Sequence, residues 1–171
     1  MNEITEILKY TVPAMITGGI AAYFLKQYLS LEHSKRKFEL LNDKKKQSLP
    51  IRLQAYERMI LFLDRTSMTN IASRIEPEQT NKIEYAKRLI LQINSEYEHN
   101  LAQQIYVSEE CWTMINNTKT TILNNITACS MQDDLKSGKD LQQELIKLGL
   151  EGLSSTQIAQ QYIQREVKSI L

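Results

Sequence analysis

Residues 10–25, YTVPAMITGGIAAYFL, carry no charge and are bracketed by Lys9 and Lys26. A basic cluster follows: Lys35, Arg36, Lys37, then Lys44, Lys45 and Lys46. An apolar stretch with a basic flank on its C-terminal side is the pattern of one helix set in a bilayer with the following chain in the cytoplasm. As a helix, 16 residues at about 1.5 Å each cover roughly 24 Å, against a hydrocarbon core of about 30 Å. The deficit shrinks if Lys9 and Lys26 snorkel outward, with Ile7, Leu8, Tyr28 and Leu29 extending the ends. Tyr10, Tyr23 and Tyr28 suit the interfacial belt. A cleaved signal peptide fits less well, because Glu3 and Glu6 stand where a basic region belongs and Lys26-Gln27-Tyr28 offers no small-residue cleavage site. The rival is a buried core helix of a soluble protein, since a run of this length is ambiguous.

The flanks predict an orientation. Residues 26–46 hold seven Lys/Arg against Glu32, Glu39 and Asp43, while the first nine residues hold Glu3, Glu6 and Lys9. This bias predicts a single-pass protein of the inner (cytoplasmic) membrane, N-terminus out and residues 30–171 in the cytoplasm. Lys26, Lys35, Arg36, Lys37, Lys44, Lys45 and Lys46 form a solvated face suited to anionic headgroups, so membrane lipid is an expected partner. Residues 47–171 carry 13 basic and 15 acidic side chains, which argues against nucleic acid as a partner. Inside the run, Ala14, Gly18 and Ala22 recur every fourth residue, a spacing that lets two membrane helices approach closely. It points to a homodimer or a docked partner helix, although small residues are also common in membrane helices generally.

With five Gly and three Pro in 171 residues, the chain is poor in turn makers and reads as all-α. Residues 1–26 read as an anchor, 27–48 as a charged helical stalk, and 49–171 as an antiparallel helical domain. Ser48-Leu49-Pro50 is expected to end the stalk and start a new helix over 51–65, with Leu53, Tyr56, Ile60 and Leu63 inward. Residues 67–79 read as a link, with Ile71 and Ile75 turned inward. A helix from Thr80 carries the stripe Ile83, Ala86, Ile90, Ile93 and Tyr97, broadened by Leu89, Leu101 and Ile105. Ser108 is a helix N-cap with Glu109 and Glu110 in the first turn, opening a helix that buries Cys111, Trp112, Ile115, Ile122 and Ile126. Leu141, Leu145 and Leu148 mark a short helix stopped by Gly149, and Ser154 to Gln157 is a capping box for a last helix with Ile158, Tyr162, Ile163, Val167 and Ile170 inward. Cys111 and Cys129 are expected to be reduced core or interface residues.

Glu96-Tyr97-Glu98-His99 contains half of a carboxylate di-iron signature, but His33, in the stalk, is the other histidine, so a second pair cannot form within the chain. A Cys–His dyad of His99 with Cys111 or Cys129 is weakened because Cys111 falls on the apolar stripe. Gly18-Gly19, Gly138, Gly149 and Gly152 make no phosphate loop. No metal, cofactor or small-molecule ligand is expected.

Two blocks stand out: residues 49–58, LPIRLQAYER, and Glu96-Tyr97-Glu98-His99-Asn100 continuing through Gln103-Gln104-Ile105-Tyr106-Val107-Ser108 to Trp112. They resemble the signature blocks of an uncharacterised protein family of Bacteroidota, and the resemblance extends over nearly the whole chain. It implies a membrane location and this architecture, and carries no activity. Arg52, Tyr56, Glu57 and Arg58 of the first block, with Glu96, His99, Gln103 and Gln104 of the second, are the candidate polar network or docking site. Glu57 and Glu96 are expected to pair with Arg52 or Arg58, fixing helix register. The expected function is a membrane-tethered, non-enzymatic adaptor or small complex subunit acting through its helices on a protein partner or a second copy. The alternative is a membrane-associated enzyme with a polar site around Glu96 and His99.

Overall fold

The computed structural model describes residues 2–151 and 154–171, with the side chains of residues 2–8, 10, 12–14, 34 and 41–45 outside the description. It is all-α: α1 (Asn2–Thr66), α2 (Met68–Arg74), α3 (Lys82–Asn100), a 3-10 helix (Leu101–Ile105), α4 (Glu109–Ser130), α5 (Gly138–Leu150) and α6 (Ser155–Ile170). Those are seven helices, and the described residues form no strand. The chain divides into two units, Met1–Leu49 and Pro50–Leu171.

The first unit is the N-terminal part of α1. Among the described residues no helix is long and apolar enough to cross a membrane. The uncharged run spans residues 10–25, bounded by Lys9 and Lys26. The side chains of Met15, Ile16, Ile20, Tyr23, Phe24, Leu25, Tyr28 and Leu29 are exposed. At about 100° per residue these positions fall on every side of the helix. Further along, Arg36 pairs with Glu32 at 2.7 Å, one helical turn away.

The expected break at residues 48–50 does not occur, because α1 continues through Pro50 to Thr66. Proline removes one N–H donor from the helical ladder; it does not by itself end a helix that good formers continue on both sides. Pro50 instead coincides with the division between the units.

The second unit has two cores. One joins α2, α3, α5 and the C-terminal half of α4 through Ile71, Tyr85, Leu89, Ile93, Ile122, Ile126, Leu141 and Leu145. The other joins the end of α1, the start of α4 and α6 through Tyr56, Met59, Phe62, Leu63, Cys111, Ile115, Ala159 and Ile163. Helix α4 therefore contributes to both. It runs antiparallel to α3: Lys82 at the start of α3 donates to the Gln132 carbonyl beyond the end of α4, while Tyr97 donates to Asn116 in the first half of α4 at 2.7 Å.

Local sequence explains most helix starts. Ser108 accepts from the Cys111 N–H at 3.0 Å. Ser137 with Asp140 and Ser154 with Gln157 form reciprocal capping boxes. The 67–79 stretch holds a helix, α2, capped by Ser67.

Four expectations about packing change. On α6, Ile158 is exposed and Ala159 takes the inward position beside Ile163. On α3 the buried residues are Tyr85, Ala86, Leu89 and Ile93, while Ile83 is exposed. Tyr85 displaces Ile83 because its ring fills the core and its hydroxyl donates to the Ile75 carbonyl (2.7 Å) and the Ala72 carbonyl (3.2 Å). Those carbonyls lie at the C-terminal end of α2, and that of Ala72 also accepts from Gln142 Nε2 at 2.8 Å. Leu101 and Ile105 do not extend the stripe; both are exposed on the 3-10 helix. Gly149 does not stop α5, which runs to Leu150. A Cβ at Gly149 would lie 2.3 Å from Thr69 Oγ1 and 3.0 Å from the Thr69 nitrogen, so this glycine lets α5 pack closely on α2.

Candidate functional site

On α1, Gln54, Glu57, Arg58, Leu61 and Arg65 follow one another at steps of three, one, three and four residues, which places them on one helical face. On α3, Gln92, Glu96, His99 and Asn100 do the same. The two faces form the walls of a solvent-open cleft of about 480 Å³, with Phe62 also lining it. The cleft gathers two carboxylates, two guanidinium groups, an imidazole and three amides. Such a lining can donate and accept hydrogen bonds and complement either sign of charge.

The two polar blocks do meet, but not through the pairs expected. Glu96 lies 3.6 Å from Arg65, and neither Arg52 nor Arg58 is its partner. Arg65 sits two turns beyond Arg58 on the same face, and the way α1 and α3 lie side by side selects it over Arg58. Of the candidate residues, Glu57, Arg58, Glu96 and His99 line the cleft. Arg52 instead donates from Nε to the Tyr106 carbonyl at 3.2 Å, tying α1 to the segment after the 3-10 helix. Gln103 and Gln104 sit on the 3-10 helix away from the cleft lining.

Tyr56 faces the other way. Its hydroxyl donates to Glu166 Oε1 on α6 at 2.6 Å, and Glu166 Oε2 is buried without a hydrogen-bond partner. Burial, followed by the bond to Glu166, pushes the Tyr56 phenol up to about 12. Cys111 shares that environment: burial first, then the Glu166 charge, pushes its thiol up to about 12. Cys111 is therefore a protonated core residue, poorly suited to nucleophilic attack. It lies in the core with Tyr56 and α6, whereas His99 lines the cleft, so they form no dyad. Burial also pushes the Cys129 thiol up. Glu166 was not legible as a site residue, although a carboxylate between Ile163, Val167 and Ile170 on an apolar stripe is a signal.

Beside the cleft, Tyr97 stacks on Trp112 with ring centroids 5.5 Å apart and meets Phe62 edge-on. Lys119 Nζ stands 3.8 Å above the Tyr97 ring. This aromatic cluster holds the C-terminal half of α3 against α4. No group of three or more metal-ligating side chains occurs among the described residues.

In the first unit, Lys26, Lys35, Arg36, Lys37 and Lys46 are exposed; Lys44 and Lys45 fall outside the described side chains. So does Ala14, while a Cβ at Gly18 would meet nothing within 4 Å. Ala22 is exposed.

No curated protein and no solved structure matches the chain. One family model does, over residues 2–170, which takes in both units and both polar blocks. The chain belongs to the family of unknown function DUF7935.

Proposed function

We propose that this protein is a membrane-tethered, non-enzymatic adaptor or small complex subunit, held at the inner membrane by its N-terminal helix and engaging a protein partner through its helical domain. One observation carries the reading. Met15, Phe24, Leu25 and Leu29, at 76%, 64%, 60% and 47% exposure, lie on different sides of one helix. A helix that is apolar all round calls for an apolar surrounding. Lipid supplies it, and the exposed basic residues that follow suit anionic headgroups.

The uncharged run is short for a bilayer, so a crossing relies on Lys9 and Lys26 reaching the two headgroup layers along their alkyl stems. The basic flank then keeps the domain in the cytoplasm. Protease protection tests this orientation: in sealed right-side-out vesicles an N-terminal tag is digested and the domain survives. Protection of the tag together with the domain contradicts the crossing and leaves an interfacial helix.

A second reading has its own observation. Glu57, Glu96 and His99 converge in a concave, partly exposed cleft with Arg58 and Arg65, the geometry that a polar ligand site or an acid–base site requires. The two readings separate on Glu96→Gln and His99→Ala. A docking surface predicts loss of a co-purified partner from intact protein in mild detergent. An enzyme predicts retained partners and lost turnover.

A further inference from the structure

We propose that the helix from the end of the apolar run onward pairs in parallel and in register with the same segment of a second copy of this chain, along a seam of Phe24, Tyr28, Leu31 and Phe38. These residues step by four, three and seven, the spacing of a two-stranded coiled coil. They are 64%, 66%, 58% and 71% exposed, and no described residue of the first unit covers them. The skipped seam position between Leu31 and Phe38 is Lys35. A single lysine in such a seam sets register and favours a low oligomeric state.

Charge decides between a second copy and a membrane surface as the occupant. Glu32 and Glu39 flank the seam on the side of Lys35. Neither Lys35 nor Glu39 has an ion-pair partner among the described residues. Carboxylates beside the apolar strip oppose contact between this one face and anionic lipid, leaving headgroups to Arg36 and Lys37 on other faces of the helix, yet they complement the seam lysine of a paired copy. Leu40, nine residues from Leu31 and so half a turn away, is exposed on the opposite side.

This pairing goes beyond the tether and does not depend on it: the strip starts at the end of the uncharged run and continues through the charged segment. The test is oxidative crosslinking of the full-length protein carrying Leu31→Cys, Phe38→Cys or Leu40→Cys, read on a non-reducing gel. The native Cys111 and Cys129 are buried, so the unmodified chain serves as the blank. Crosslinked dimer at positions 31 and 38 is expected to exceed that at 40 by about tenfold, and adding Lys35→Glu to Leu31→Cys should lower the yield severalfold. Equal crosslinking at all three positions, no crosslinking at any, or indifference to Lys35→Glu overturns the proposal. Failure of membrane association with seam-specific crosslinking intact would overturn the tether alone.

Discussion

Leu31 and Leu63 are the same residue type on the same helix, yet the first is 58% exposed and the second is fully buried. Between Pro50 and Thr66, α1 buries Tyr56, Met59, Phe62 and Leu63 against side chains of α4 and α6. Between Met15 and Leu40 the same helix leaves large apolar side chains bare. Intrinsic helix propensity does not distinguish the two stretches; what covers them does. A helix of this kind is stabilised chiefly by burying its apolar surface, so the bare stretch calls for lipid or another chain.

The sharpest contrast is a matched truncation. Leu63→Ala removes a fully buried side chain and is expected to destabilise the domain by about 2–5 kcal/mol in denaturant unfolding. Leu31→Ala should leave unfolding of residues 50–171 within about 0.5 kcal/mol, because the residue belongs to neither core of that unit. Comparable losses from the two would mean that Leu31 supports the same core as Leu63.

Next in size are two substitutions within the covered region. Gly149→Ala places a methyl group against Thr69 Oγ1 at 2.3 Å and the Thr69 backbone at 3.0 Å. The hydroxyl can rotate away and the backbone cannot, so a loss of about 1–3 kcal/mol is expected despite the gain in helix propensity. Tyr56→Phe strips Glu166 of the donor at 2.6 Å and should cost about 1–3 kcal/mol. Replacing both partners, Tyr56→Phe with Glu166→Leu, should recover most of that loss.

A pH scan gives a broader readout. Burial is the leading cause that holds Tyr56 and Tyr85 at about 12 against an ordinary 10.0, and Cys111 at about 12 against 9.0. Each folded pKa is raised and the neutral form is the one the fold holds. Their contribution is therefore fully present below about pH 9 and is lost as pH climbs toward 12. Thermal midpoints should fall steadily across that window. A flat profile would show that these groups titrate as they do in the unfolded chain.

The smallest effect belongs to a helix end. Ser108→Ala removes the cap on the Cys111 N–H and should cost about 1 kcal/mol by thermal or chemical unfolding.

Legibility followed range. The Ser108 cap and the Ser154–Gln157 box depend on residues three apart, and the structure contains both. The α4 face was nearly as plain, since Cys111, Ile115, Ile122 and Ile126 are all buried there, while Trp112 is only half-buried. On α3, Ile83 and Tyr85 compete for the core, and the carbonyls at the end of α2 that favour Tyr85 are invisible to periodicity. Gly149 reads as a helix stop in sequence and is a packing contact in space. Pro50 reads as a break and lies inside α1. In the cleft, the convergence of Glu57, Arg58, Glu96 and His99 followed from taking the two blocks together. Arg65 as the partner of Glu96 depended on how α1 and α3 meet side by side, and Glu166 on the approach of α6, which local patterning does not encode.

The most direct test of the central proposal, that lipid covers the uncharged run of residues 10–25, is flotation of full-length protein with membranes through a high-salt density gradient, beside a variant carrying Met15→Lys, Ile16→Lys and Ile20→Lys, all outside the seam. High salt screens headgroup contacts made by the basic cluster and leaves apolar insertion intact. The native chain should float with the membranes and the triple-lysine variant should stay at the bottom. A native chain that stays at the bottom, or a variant that floats equally well, would contradict the proposal.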